Sequence, residues 1–195
     1  MANNVAGGIV IKKTWPGMAR TMFHSHDRYL KTYMQPYPGY YFTSDGCTRD
    51  GNGHLWITGH VDDVINPSGH RIGTAEVESA LVGSGLVAEA AVVGFTHDVK
   101  GEWIAAFVIL MMNQTDDENV LTKLRNSVRQ AIGAFATPDV IIITPGLPKT
   151  RSGKIMRRIL RKLLIPDEAN QLGDISTLAD PSIVETLRGL CLVMN

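Results

Sequence analysis

Cysteine is scarce in this chain of 195 residues: Cys47 and Cys191 lie far apart, and neither belongs to a CxxC pair. That speaks against a disulfide framework and a cysteine-built zinc site, and it makes a reducing, cytoplasmic compartment the default. The start, Met1-Ala2-Asn3-Asn4, lacks the basic segment and apolar core of a secretory leader. Any nuclear or mitochondrial address would precede Met1. The longest apolar run, residues 104–112, is far short of the roughly 20 residues that a membrane-spanning helix needs. Net charge is also lacking, with 19 basic residues against 19 acidic ones. Nothing in the composition points to nucleic acid or to a membrane as partner.

At 44% hydrophobic and 19% charged, the chain has room for one or two small globular domains. Its charge is unevenly spread. Residues 149–162 carry seven basic side chains and no acidic one, which is either a solvated helix face or a site for a polyanionic ligand.

Residues 8–58 alternate strand-like stretches with turn chemistry: Ile9-Val10-Ile11, Tyr40-Tyr41-Phe42 and His54-Leu55-Trp56-Ile57, with Asp50-Gly51-Asn52-Gly53 as a hairpin turn. The piece is short for an independent core, so it reads as the end of a larger domain. From Asp62 the pattern changes to alternating helix and strand. Helices are expected over 74–82, 119–132, 154–164 and 182–191, and strands over 88–95, 103–110 and 139–144. Asp116 or Asp117 is placed to cap the second helix, Leu121, Leu124, Val128 and Ile132 share one of its faces, and Gly133 stops it. The resulting unit of about 130 residues is large enough to be autonomous.

The chemistry-bearing segments are Leu147-Pro148-Lys149-Thr150-Arg151-Ser152-Gly153-Lys154, Thr43-Ser44-Asp45-Gly46, Thr58-Gly59-His60-Val61-Asp62-Asp63 and Ser68-Gly69-His70-Arg71. The first reads as a basic loop opening onto a helix whose leading N–H groups would favour an anion near Ser152 to Lys154. It is not a Walker loop, because Gly146 and Gly153 are too far apart and Ile155 follows the lysine. His24 and His26 form an HxH without further ligands nearby and read as loop. In this order the four segments resemble the C-terminal portion of the acyl-adenylate-forming enzymes, and within them the AMP-forming acetyl-CoA synthetases. The resemblance runs from about residue 7 to about residue 184 and includes Thr74-Ala75-Glu76-Val77-Glu78-Ser79-Ala80-Leu81 between the motifs.

The resemblance implies an α+β fold. Residues 1–61 would be the β-rich end of a large N-terminal adenylation domain. Residues 62–195 would be a mobile C-terminal domain, a short sheet flanked by helices, with its hinge at Asp62. Lys154 matches the lysine of adenylation, where an ammonium bridging carboxylate and phosphate oxygens offsets the repulsion between two anions. Acetylation of that lysine by an acetyltransferase, reversed by a deacetylase, would remove the charge. Asp45 matches the aspartate that holds the ATP ribose, and Arg71 neutralises nucleotide phosphate. Ser68, Gly69 and Arg129 lie toward coenzyme A. Val82 and Val87 match carbonyl ligands of a magnesium ion.

Three positions depart from the pattern. Ser44 stands where the family has glycine. Ser84 stands at a histidine metal ligand. His60 replaces a nucleotide-contacting arginine, and because imidazole has neither the fork nor the permanent charge of guanidinium, weaker ATP binding is expected unless one hydrogen bond suffices.

The implied reaction converts acetate, ATP with its Mg2+, and CoA to acetyl-CoA, AMP and pyrophosphate through an acetyl-adenylate. The upstream phosphate loop, adenine strand and acyl pocket of the family are not among these residues, so the chain alone is expected to be inactive. The alternative is a non-catalytic CoA-binding or interaction module regulated by lysine acetylation.

Overall fold

A computed structural model describes residues 3–97, 101–114 and 117–192. The chain divides into two compact units, Met1–Val64 and Ile65–Asn195.

The first unit is a three-stranded antiparallel sheet in the order β1 (Val5–Ile11), β2 (Tyr41–Arg49), β3 (Leu55–His60). Asp50 closes the β2–β3 turn: its Oδ1 accepts the Asn52 and His54 amides, each at 2.9 Å, and Oδ2 accepts the Trp56 indole N–H at 3.1 Å. Those donors, the indole foremost and then His54 and Asn52, hold the Asp50 carboxyl below the usual carboxylate range. The stretch read as loop around His24 and His26 contains a short helix, α1 (His26–Tyr29), that continues as a π-helical turn over Leu30–Met34. Its regularity comes from tertiary packing, since Tyr33 stacks on Tyr41 at 5.1 Å and Trp15 meets Tyr41 edge-on at 5.2 Å. Burial, then Tyr33 and Tyr29, raise the Tyr41 hydroxyl above its ordinary value.

The short strands β4 (Val64–Ile65) and β5 (Ile72–Gly73) stand on either side of a 3-10 turn at Pro67–Gly69. The main sheet of the second unit runs β6 (Val87–His97), β7 (Gly101–Leu110), β8 (Val140–Ile143), antiparallel then parallel. Period-two alternation divides the side chains between two cores. Ala90, Val92, Ile104, Ala106 and Val108 face α2 (Thr74–Gly83) and α3 (Glu118–Ala131) through Val77, Leu81, Val120, Leu124 and Val128. Ala91, Val93, Ala105, Phe107 and Ile142 face α4 (Arg157–Leu163) and α5 (Ser182–Leu192) through Ile159, Leu160, Leu163, Val184 and Leu187. With both faces covered, the sheet centre reads as a continuous apolar run.

Asp117 caps α3, its Oδ1 accepting Val120 N–H at 2.8 Å; the other candidate, Asp116, lies outside the described residues. One expected boundary is corrected. The last basic helix starts at Arg157, because residues 149–155 close as a hairpin with Lys149 opposite Ile155. Lys154 N–H is therefore not one of the leading donors of that helix and donates to Thr150 Oγ1 at 3.1 Å.

Candidate functional site

Lys154 sits on a loop closed by backbone hydrogen bonds. Thr150 N–H donates to the Lys154 carbonyl and Gly153 N–H to the Thr150 carbonyl, each at 2.8 Å, and Met156 N–H to the Pro148 carbonyl at 2.7 Å. A neighbouring segment supports the incoming arm, since Ala179 N–H donates to the Lys149 carbonyl at 2.8 Å and Arg151 N–H to the Thr177 carbonyl at 3.2 Å. Lys154 itself is exposed. Its four flexible methylenes therefore leave a fixed backbone.

The run of seven basic residues is not one anion-binding surface. Lys149 Nζ pairs with Glu89 at 2.6 Å, Arg157 with Glu78 at 2.8 Å, Arg158 with the carbonyls of Leu172 and Asp174, and Lys162 with the Gln171 carbonyl at 2.5 Å. These cations are thus engaged within the fold.

The turn at Pro67–Gly69 puts Gly69 at φ +86°, a left-handed conformation that suits glycine. Two contacts fix this turn that no sequence pattern announced. Glu102 Oε2 accepts Asn66 N–H at 2.6 Å, and it does so by lying across Gly94, where a Cβ would run into the carboxylate and into Ile65. The His70 ring stacks on Phe135 at 4.3 Å and 28°. Phe135 belongs to the 3-10 turn at Ala134–Ala136, which follows α3. The Ser68–Arg71 segment and the end of the helix carrying Arg129 are thereby brought together. Arg71 and Arg129 are both exposed.

In the first unit, Asp45 and His60 face each other across β2 and β3, with His60 Nδ1 3.1 Å from Asp45 Oδ1. The register slips between Gly46 and Cys47, and Ser44 takes φ +66°. This is the position where the resembled pattern has glycine, so the serine occupies a backbone geometry costly for a side chain. Asp62 lies in the 3-10 turn Val61–Asp63.

Val82 and Ser84 are engaged at the end of α2. The Val82 carbonyl accepts Gly85 N–H at 3.1 Å. The Ser84 hydroxyl donates to the Leu81 carbonyl at 2.6 Å and accepts Leu86 N–H at 3.2 Å. The only side-chain oxygen among Val82, Ser84 and Val87 is turned into its own helix end, so no step below passes through a cation there. Among the described residues no group of three His, Cys, Asp or Glu is placed to hold a metal ion.

Residues 76–154, which span α2, the sheet and the Lys154 hairpin, match the sequence profile of the AMP-binding enzyme C-terminal domain. That stretch is similar to this domain family. Over 94% of its length the chain is 60% identical to the acetyl-coenzyme A synthetase of Dictyostelium discoideum. Over 93% it is 59% identical to that of Beijerinckia indica. It spans 27% and 28% of those two proteins. Among solved structures, the acetoacetyl-CoA synthetase of Streptomyces lividans superposes on the whole chain with a TM-score of 0.82 at 23% identity, a likeness of fold, and the chain covers 29% of it. The anthranilate CoA ligase AuaEII superposes on 83% of the chain with a TM-score of 0.73 at 26% identity, 30% of its own length being matched. The α+β fold expected from the sequence is the one observed.

Proposed function

We propose that this chain is the C-terminal part of an AMP-forming acetate–CoA ligase, with residues 1–61 completing its large adenylation domain, residues 62–195 forming the mobile domain and Asp62 acting as hinge. The observation that carries this reading is the 60% identity to acetyl-coenzyme A synthetase over 94% of the chain, together with a lysine held on a bonded hairpin inside the matched domain. The change of compact unit between Val64 and Ile65 supports a hinge nearby.

In the first half-reaction an acetate oxygen attacks the α-phosphorus of ATP and pyrophosphate leaves with its Mg2+. The Lys154 ammonium bridges the carboxylate and phosphate oxygens and stabilises the charge that gathers between them. Asp45 accepts hydrogen bonds from the ribose hydroxyls, with His60 beside it in place of an arginine, and Arg71 faces phosphate. In the second, the coenzyme A sulfur attacks the acyl carbon, the thioester forms and AMP departs, with Ser68, Gly69 and Arg129 on the coenzyme A side. Acetylation of Lys154 by an acetyltransferase silences the first step alone, and a deacetylase restores it. Among the described residues no helix is long and apolar enough to cross a membrane. Cys47 and Cys191 are both buried, and the setting proposed for them is reducing and cytoplasmic.

Replacing the matching segment of the Dictyostelium protein with this chain tests the reading. A folded hybrid that makes acetyl-CoA from acetate, ATP and CoA supports it, and a folded hybrid with no such activity rejects it. A second reading, a module that binds coenzyme A without turnover, draws on the placement of Ser68, Gly69, Arg71 and Arg129 in one unit. Calorimetric titration of the 195-residue chain with coenzyme A distinguishes it.

A further inference from the structure

The Lys154 hairpin is anchored at its base on both sides by carboxylates from distant elements. On the incoming arm, Lys149 Nζ meets Glu89 of β6 at 2.6 Å. On the outgoing side, Arg157 grips Glu78 of α2: Nη2 lies 2.8 Å from each carboxylate oxygen and Nε 3.2 Å from Oε1. Glu78 Oε1 also accepts Val92 N–H from the centre of β6 at 2.8 Å, so this carboxylate ties helix, sheet and hairpin together. Both carboxylates line one groove of about 540 Å³, whose wall includes Ile155, the residue after the lysine. Between these anchors the hairpin is internally bonded, and Lys149 pairs with Ile155 across its base.

We propose that Glu89 and Glu78 are positioning residues for adenylation, a two-point clamp that sets where the Lys154 backbone stands and hence where its ammonium reaches. The inference rests on Lys154 being the lysine of adenylation. A flexible point charge loses part of its effect if the base it swings from also moves, and a displacement of about 1 Å can lower a rate by up to about a hundredfold. The Glu89–Lys149 pair is about one-third exposed on each side, so it adds little to stability. A role in aim explains why a lysine inside a ligand-facing loop is bonded inward. The Glu78–Arg157 pair is more buried, at 15% and 20% exposure, and fixes the point where the hairpin becomes α4.

Two measurements test the clamp. In the 195-residue chain, amide hydrogen exchange is followed at Gly153, Lys154 and Met156 for the wild type, Glu89→Gln, Glu78→Gln and the charge-swapped Glu89→Lys/Lys149→Glu. The expected result is exchange faster by about tenfold at these amides in the single variants, unchanged exchange across β6 and β7 except at Val92 in Glu78→Gln, and recovery in the swap of what Glu89→Gln loses. Unchanged hairpin exchange, or loss of protection spread over the whole second unit, overturns the proposal. In the ligase hybrid, Glu89→Gln is expected to slow acetate-dependent ATP–pyrophosphate exchange about tenfold while transfer from supplied acetyl-adenylate to CoA stays as it was. Equal loss in both half-reactions, or in neither, overturns it. Lys154→Ala is the control: if that variant still adenylates, the reading of Lys154 fails, whereas a normal Glu89→Gln beside an inactive Lys154→Ala rejects the clamp alone.

Discussion

The two units bury themselves in different ways. Among the described residues of the first, only Tyr29 and Cys47 are buried hydrophobics, while Leu55, Trp56 and Ile57 on β3 stand 57–64% exposed. The second fills both faces of its sheet, with Val77, Leu81, Ile104, Phe107, Leu124, Ile159 and Leu160 all fully buried. Hydrophobic burial scales with area removed from water, so the second unit has its own driving force for folding. The first leans on turn bonding at Asp50 and on an aromatic stack around Tyr41. The candidate ligand residues follow the same division: Asp45 and His60 sit on a bulged, strained sheet, and Lys154 on a hairpin clamped to a packed core.

Core truncation probes this contrast most strongly. Leu124→Ala in α3 should lower stability by about 2–5 kcal/mol, whereas Ile57→Ser on the open β3 face should stay within about 0.5 kcal/mol. Denaturant unfolding read separately by probes in each unit decides; similar losses at both positions would erase the distinction. Next in size, Gly94→Ala forces Glu102 off the Asn66 amide and is expected to cost about 1–3 kcal/mol, with faster hydrogen exchange at Asn66 as its local mark. Smaller and opposite in sign, Ser44→Gly removes a left-handed side chain from β2 and should stabilise the first unit by about 0.5–1 kcal/mol. A destabilising result would mean that the serine side chain holds the bulge.

The last comparison is in pH. The lowered Asp50 carboxyl contributes stability that is present above its ordinary value of 3.8 and is lost as pH falls through the lower folded value. Asp50→Asn should therefore flatten the acid limb of the first unit. In the second unit burial pushes the Cys191 thiol from 9.0 up to about 11. Above pH 9 the unfolded thiol ionises and the folded one does not, so stability should fall between pH 9 and about 11, and Cys191→Ala should remove that slope. Circular dichroism titration of both variants checks the two limbs.

What the sequence revealed followed its local rules. The strands at β6 and β7, the amphipathic α3 with its aspartate cap and glycine stop, and the Asp50 turn are all set by neighbours in the chain. The errors arose where distant residues decide. Residues 154–156 resemble a helix start, yet Thr177 and Ala179 draw the loop into a hairpin. α1 forms because Tyr33 and Tyr41 stack, not because His24 to Met34 read as helix. For the candidate site, Lys154, Asp45 and the Ser68–Arg71 loop stood out as motifs. Their supports did not: Glu89 lies 60 residues from Lys149, Glu78 lies 79 from Arg157, and Glu102 lies 36 from Asn66. No single-sequence pattern relates residues at such separations.

In the proposed function Lys154 serves adenylation and not thioester formation. Measuring both half-reactions of the ligase hybrid carrying Lys154→Ala tests it most directly. Acetate-dependent ATP–pyrophosphate exchange is expected to fall by about a hundredfold or more while CoA still takes the acetyl group from supplied acetyl-adenylate at the unmodified rate; exchange that persists in that variant would overturn the proposed role of Lys154.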